Sequence, residues 1–161
     1  MITVKTYDPA MQTALEACFK ACMEALDWDY QPNGRHSDIS SIVNTYMCRG
    51  CFWCLFDGDK LIGMVATRWL DSVNKIAELK RLYVLPEYQG KGYGGLLFKL
   101  ALEYTKEQEY KIIRADTRHD RAASRYLIDK YRFRQIERYN NNEFAELYFE
   151  LDLTKYETEG S

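Results

Sequence analysis

Seven consecutive residues near the middle of the chain, Gln89-Gly90-Lys91-Gly92-Tyr93-Gly94-Gly95, have the composition of an anion cradle. Glycines at 90, 92 and 94 let a backbone turn tightly and let a ligand approach it without side-chain obstruction. An amphipathic helical pattern follows at once, from about Lys91 to Gln108. The first amides of a helix have no partner within it, and they sit at the positive end of its dipole. Together these features predict a site for a phosphate or pyrophosphate, with Lys91 adding a positive charge beside it.

Two better-known phosphate loops fit less well. Gly90-x-Gly92-x-x-Gly95 has dinucleotide-fingerprint spacing, with Asp116 about twenty residues on. In that fold the first glycine follows its strand directly, whereas here Pro86-Glu87-Tyr88-Gln89 intervene and the preceding elements are hairpin strands. A nucleotide-hydrolase loop fails because no Lys-Ser or Lys-Thr pair closes the run. Cys48-x-x-Cys51-x-x-Cys54 has the spacing of a metal site. However, Cys51 and Cys54 fall in an apolar strand, where alternation sends them to opposite faces. No second cysteine pair follows, so no metal is expected and the five cysteines are read as buried thiols.

The elements that must hold the cradle follow from periodicity and turn residues. A strand at Ile2 to Tyr7 leads through Asp8-Pro9, a cap and first helical position, into a helix reaching about Leu26. A loop to His36 precedes a second helix, capped at Ser37 and ending near Gly50. Strands at about 51–56 and 60–69 flank Asp57-Gly58-Asp59, a hairpin signal, and a third strand runs from about 75 to Pro86. After the long helix come a strand at Lys111 to Ala115, a helix at about 120–131, and strands at about 133–139 and 144–151. This order predicts an α/β (α+β) fold: a mixed, mostly antiparallel sheet of about seven strands flanked by four helices. A single domain is expected over 1–153, with a polar tail at 154–161.

Composition narrows the setting. A formal charge of −2 gives no basic field toward nucleic acid or anionic membrane. No apolar run is long enough to span a bilayer, and the first residues lack a signal-peptide core. With an odd number of cysteines, the simplest expected address is the cytoplasm.

The arrangement resembles the GCN5-related N-acetyltransferases, whose [Gln/Arg]-x-x-Gly-x-[Gly/Ala] pattern is matched by Gln89-Gly90-Lys91-Gly92-Tyr93-Gly94. Glu78-Leu79-Lys80-Arg81-Leu82-Tyr83-Val84-Leu85-Pro86-Glu87-Tyr88 looks like that family's central strand and its exit. The resemblance continues through Asp116-Thr117 to Phe133, and the element order agrees from about 2 to 152. It implies an acyl-coenzyme A N-acyltransferase fold with acetyl-coenzyme A as co-substrate. The coenzyme would bind at Gln89, Gly90, Lys91, Gly92, Tyr93, Gly94 and Gly95, its pantetheine arm pairing with the backbone of Leu82, Tyr83 and Val84. It also implies transfer to a primary amine of a small molecule or peptide, by direct attack in a ternary complex. No nucleic-acid or membrane partner is implied, and a homodimer is left open.

The resemblance assigns roles within that reaction. Glu78 stands at the offset of a glutamate that deprotonates the amine in some members, and the Val84 amide at the oxyanion position. By parity Glu78, Lys80, Leu82 and Val84 are expected on one strand face. The usual acid is a tyrosine, but Ile128 occupies its place, in Leu127-Ile128-Asp129-Lys130-Tyr131-Arg132-Phe133. Tyr131, one turn on, is the first substitute and Ser124, one turn back, the second. Arg121 falls where the family often contacts the coenzyme. Trp28, Asp29, Tyr30, Tyr46, Trp69 and Tyr139 are candidates for the acceptor pocket, with Asp27 and Asp29 able to attract a cationic amine. Without an acid, a weakly catalytic acyl-coenzyme A-binding or sensing domain is the alternative.

Overall fold

The computed structural model describes residues 1–157. Its strands are β1 (Ile2–Thr6), β2 (Cys51–Asp57), β3 (Lys60–Asp71), β4 (Ile76–Val84), β5 (Ile112–Thr117), β6 (Arg134–Ile136) and β7 (Leu147–Asp152). They form one sheet in the order β1-β2-β3-β4-β5-β7-β6. The helices are α1 (Gln12–Ala25), α2 (Ile42–Tyr46), α3 (Tyr93–Glu107) and α4 (Ala122–Lys130). Strands joined by turns or loops pair antiparallel. The β4–β5 pair, joined through α3, is parallel, because a helix must carry the chain back before a parallel strand can start. This is the mixed seven-stranded, four-helix fold that the element order predicts.

Leu15, Phe19 and Cys22 place one apolar stripe of α1 on the sheet. The expected second helix is shorter than its pattern: a 3-10 turn at Ser37–Ser40 and five residues of α2, separated by Ser41 with φ −138°. Cys18, Cys22, Cys51 and Cys54 are buried, and burial pushes the Cys54 thiol up to about 12. Cys48 is exposed, which corrects the expectation of five buried thiols. Among the described residues no group of three or more His, Cys, Asp or Glu could hold a metal ion. None of the described helices is long and apolar enough to cross a membrane. Leu153–Lys155 form a further 3-10 turn with Leu153 buried, and 158–161 of the expected tail lie outside the described residues.

One residue shapes the middle of the sheet. Ala66 pairs with Lys80 and Met64 with Tyr83, so β4 has one residue more than β3 across that span. The extra residue is a bulge, at which Arg81 takes φ 58°. A left-handed arginine costs on the order of 1 kcal/mol. The cost is offset because Arg81 donates to both oxygens of Asp38, at 2.9 and 2.7 Å, in a half-buried pair. Burial alone would raise the Asp38 carboxyl, but the Arg81 hydrogen bonds and charge hold it below its ordinary value.

The bulge also breaks the expected parity. Tyr83 meets Phe19 of α1 edge-on at 5.5 Å, on the side where Arg81 reaches Asp38, so the faces no longer alternate as expected past the bulge. An inserted residue reverses every later side chain. It bends β4 away from β5 as well: their pairing covers only Ile76–Glu78 against Ile112–Arg114. Beyond Glu78 the two strands fork.

Candidate active site

The fork opens a cleft of about 500 Å³. Leu79 to Tyr83 form one wall and Ala115 to Arg118 the other. Phe98, Arg121, Ser124 and Ile128 close the α3–α4 side. Trp28, Arg35, His36, Asp38 and Tyr46 close the α1–α2 side, with Asn141 to Ala145 from the β6–β7 loop. The cleft therefore draws its lining from both faces of the sheet.

The open edge of β4 presents backbone groups. The Leu85 amide donates toward β3, to Ile62 at 2.9 Å, so alternation turns Leu82 and Val84 toward the fork. Their carbonyls agree: Arg121 donates to Leu82 at 3.2 Å, and the Gln89 side chain to Val84 at 2.9 Å. The Gln89 bond folds the glycine loop against the end of β4. Gly90 and Gly92 have φ 80° and 87°, and Gly92 caps α3 in the left-handed region. A Cβ at Gly90, Gly92 or Gly94 would meet nothing within 4 Å, whereas one at Gly95 would touch Leu127 of α4 at 3.7 Å. Three glycines thus face open space at the N-terminus of a fifteen-residue helix, and the fourth packs. The Lys91 ammonium lies 5.4 Å from the Tyr88 ring centre, beside the opening, and Tyr93 is the first residue of α3.

The catalytic expectations fare unevenly. Glu78 is fully buried and does not line the cleft. Its Oε1 accepts from Arg68 Nε at 2.8 Å, and its Oε2 from Tyr139 at 2.6 Å and Asn140 at 3.2 Å. Asn140 also donates to Asp116 at 2.6 Å, and Asp116 does line the cleft, with Lys80 Nζ at 3.7 Å. Tyr131 is not among the cleft-lining residues: it caps the end of α4 and stacks on Phe98 (5.2 Å) and Tyr156 (6.1 Å). Ile128 and Ser124 do line the cleft. Replacing Tyr131 by Phe is expected to leave kcat within about twofold and Ser124→Ala to lower it several-fold at most, in a thiol-release assay. Water can protonate a thiolate whose thiol has a pKa near 8.5.

The aromatic expectations divide as well. Trp28 and Tyr46 reach the cleft, although Tyr46 donates its hydroxyl to Asp38 at 2.5 Å. Trp69 lies elsewhere, with Arg49 over it, and Tyr30 packs on Phe19 and His36. Tyr139 serves Glu78 instead; burial and the carboxylates of Glu78 and Asp116 push its hydroxyl pKa up. Asp27 and Asp29 are exposed and do not line the cleft. Asp27, at φ 57°, ends α1: its amide bonds Glu24 and that of Trp28 bonds Met23. That left-handed helix stop aims Trp28. The sequence reading missed Arg68, Arg81, Asp38, Arg35, Arg118, Asn140 and Phe144. Apart from Arg81, which lies in the quoted central-strand stretch, none of them stands in a motif, and each becomes visible only when distant elements meet.

His36 is 1% exposed, and its Nδ1 accepts from the Gln31 amide at 2.9 Å. The remaining nitrogen then carries the proton in the neutral ring, so His36 is no proton acceptor for a substrate. Burial, then the charges of Arg81 and Arg35, lower its pKa from 6.5 to about 4. The folded state therefore binds fewer protons than the unfolded state between those values, and stability falls with pH across that window. A loss of roughly 3 kcal/mol between pH 7 and pH 4 is expected from this group. Urea titrations across that range should show the slope, and His36→Gln should remove about one proton from it.

A sheet forked at its parallel pair, with a glycine-rich helix start at the mouth of the fork, defines an acyl-coenzyme A N-acyltransferase fold. Residues 19–133 match the model of the acetyltransferase (GNAT) family, well over half of the chain, and the chain belongs to that family. Over 102 residues it is 30% identical to an N-acetylaspartate synthetase of Xenopus tropicalis, a match covering 62% of this chain and 37% of that protein. The chain thus spans little more than a third of that relative. A GNAT acetyltransferase from Staphylococcus aureus Mu50 superposes with a TM-score of 0.86 at 18% identity, over 95% of this chain and 99% of the other. A PaiA N-acetyltransferase from Thermoplasma acidophilum, solved in complex with coenzyme A, superposes with a TM-score of 0.71 at 18% identity, over 94% and 99%.

Proposed function

We propose that the chain transfers an acetyl group from acetyl-coenzyme A to a primary amine of a small molecule or peptide, by direct attack in a ternary complex. The observation that carries this reading is the fork, which turns the backbone of Leu82 and Val84 toward the opening beside the α3 N-terminus. A pantetheine arm carries amides that can pair with such an edge as an added strand, its pyrophosphate then reaching the glycine loop. Tyr83, Arg121 and Ser124 border its path on the cleft wall.

In the reaction the amine nitrogen attacks the thioester carbonyl, the carbon–sulfur bond breaks, and the thiolate takes up a proton. The Val84 amide would face the carbonyl oxygen as charge develops. Of the two carboxylates joined by Asn140, Asp116 lines the cleft and Glu78 does not. Asp116, directly or through water, takes the amine proton, and Glu78 is a positioning residue that fixes Asn140 and Tyr139. This revises the role that the family resemblance gives Glu78. The related N-acetylaspartate synthetases are named for an amine acceptor that is a small amino acid, which accords with a small-molecule substrate.

Titration calorimetry with acetyl-coenzyme A, followed by thiol release across an amine panel, tests the reading. No binding at millimolar coenzyme sinks it. The second reading, a binding or sensing domain without turnover, is favoured by Ile128, which lines the cleft where a proton donor would stand. Binding without thiol release from any amine would establish that reading instead.

A further inference from the structure

Among the described residues, the cleft wall holds guanidiniums that no carboxylate pairs with. Arg81 is spent on Asp38, Arg68 on Glu78 and Lys80 on Asp116. Arg118 shares its guanidinium between Asp120 and Glu146, at 3.4 and 3.8 Å, both largely open to water. Among the described residues, neither Arg35 nor Arg121 has a carboxylate oxygen within 4.0 Å. Arg121 donates only to a carbonyl, and Arg35 lies 3.6 Å over the Phe144 ring, with Arg118 4.4 Å from the same ring. Phe144 in turn meets Trp28 edge-on at 4.9 Å, and Arg121 lies 5.8 Å from Trp28. Three guanidiniums therefore gather around one aromatic pair on the cleft wall. Among the described loop residues that line the cleft, the carboxylate is that of Glu143, which is exposed.

Guanidiniums gathered at the wall of a cleft without close carboxylates repel one another and a cationic ligand alike. Burial is the main cause that lowers the pKa of Arg35; the charges of Arg81 and Arg118 add to it, while Tyr83 and Asp29 act against it. An anion placed among them relieves both costs, and the planar guanidinium fork matches carboxylate and phosphate oxygens two at a time.

Building on the acetyltransferase reading, we propose that the acceptor is a small primary amine bearing an anionic group, carboxylate or phosphate. Arg35 and Arg118 hold that group against Phe144 and Trp28, and Arg121 stands between it and the coenzyme. The expectation that Asp27 and Asp29 draw a cationic amine is reversed in sign.

Matched amines test this on the intact chain: β-alanine against β-alaninamide, phosphoethanolamine against ethanolamine, with spermidine as the polycation. The anionic member of at least one pair should have a kcat/KM on the order of 10- to 100-fold above its neutral partner, and the preferred pair identifies carboxylate or phosphate. Arg35→Gln should remove most of that preference by raising the acceptor KM, while the KM for acetyl-coenzyme A stays within about twofold. Equal or better turnover of the neutral amines or spermidine overturns the proposal, as does a preference that survives Arg35→Gln. Calorimetry of N-acetyl-β-alanine, N-acetyl-β-alaninamide and N-acetylphosphoethanolamine in the presence of coenzyme A gives an arm independent of turnover. Tighter binding of either anion supports the proposal even if no amine is acetylated, a result that would overturn only the transfer reading. Equal binding, or none, overturns the proposal itself.

Discussion

Gly94→Val is expected to weaken acetyl-coenzyme A binding on the order of 10- to 100-fold while leaving the fold as stable as before. The residue is the second of α3, with no positive φ and nothing within 4 Å of its would-be Cβ. Within the free protein the Cβ of a valine there meets no atom within 4 Å, and its helix propensity is no worse than that of glycine. The thermal midpoint should therefore move by less than about 2 °C, since 1 kcal/mol corresponds to roughly 2–4 °C at this chain length. The added methyls would stand where the first-turn amides meet a phosphate, displacing one or two charge-assisted hydrogen bonds. Gly92→Val makes the comparison decisive. At φ 87° a β-branched residue is strained, so that variant should lose both stability and affinity. Unchanged coenzyme affinity in Gly94→Val would remove the glycine loop from the site.

The second expected result separates the two carboxylates. Asp116→Asn should lower kcat on the order of 100-fold and abolish the acidic limb of the kcat/KM profile, the signature of a lost proton acceptor. Glu78→Gln should act differently. The buried carboxylate takes hydrogen bonds from Arg68, Tyr139 and Asn140, and an amide must turn one of its own donors against theirs. Leaving a buried charge or donor unmatched costs about 3 kcal/mol, hence a fall of about 6–12 °C in the thermal midpoint. The acidic limb and the coenzyme affinity should persist. If Glu78→Gln keeps its stability and loses the limb, Glu78 is the proton acceptor and Asp116 the support.

Much of the frame was legible because its signals are local. Asp57-Gly58-Asp59 announces the β2–β3 turn, apolar spacing places α1 and α3, and the glycine run marks the start of α3. The centre of the site was not. Nothing about an arginine announces φ 58°. Arg81 adopts it because Asp38, forty-three residues away, grips its side chain, and with it the parity of β4 reverses. The burial of Glu78 likewise depends on Tyr139 and Asn140, which the sequence offers only as a turn between late strands. Tyr131 sits one turn from Ile128, but the end of α4 swings it onto Phe98 rather than into the cleft. Motif spacing finds ligand loops, whereas proton chemistry depends on which distant side chains neutralise one another.

The three-rung contact between β4 and β5 has a consequence for how the molecule holds itself together. Strands β1 to β4 form one panel and β5, β7 and β6 another, joined edge to edge only at the base of the fork. In most sheets the middle is the stiffest part; here it is a seam. An arm lying in the fork would supply the rungs that the two strands leave unmade, and the coenzyme would then be a temporary eighth strand. Whatever affinity the protein has for its co-substrate would also be cohesion between its halves, present while the cofactor is bound and withdrawn when it departs.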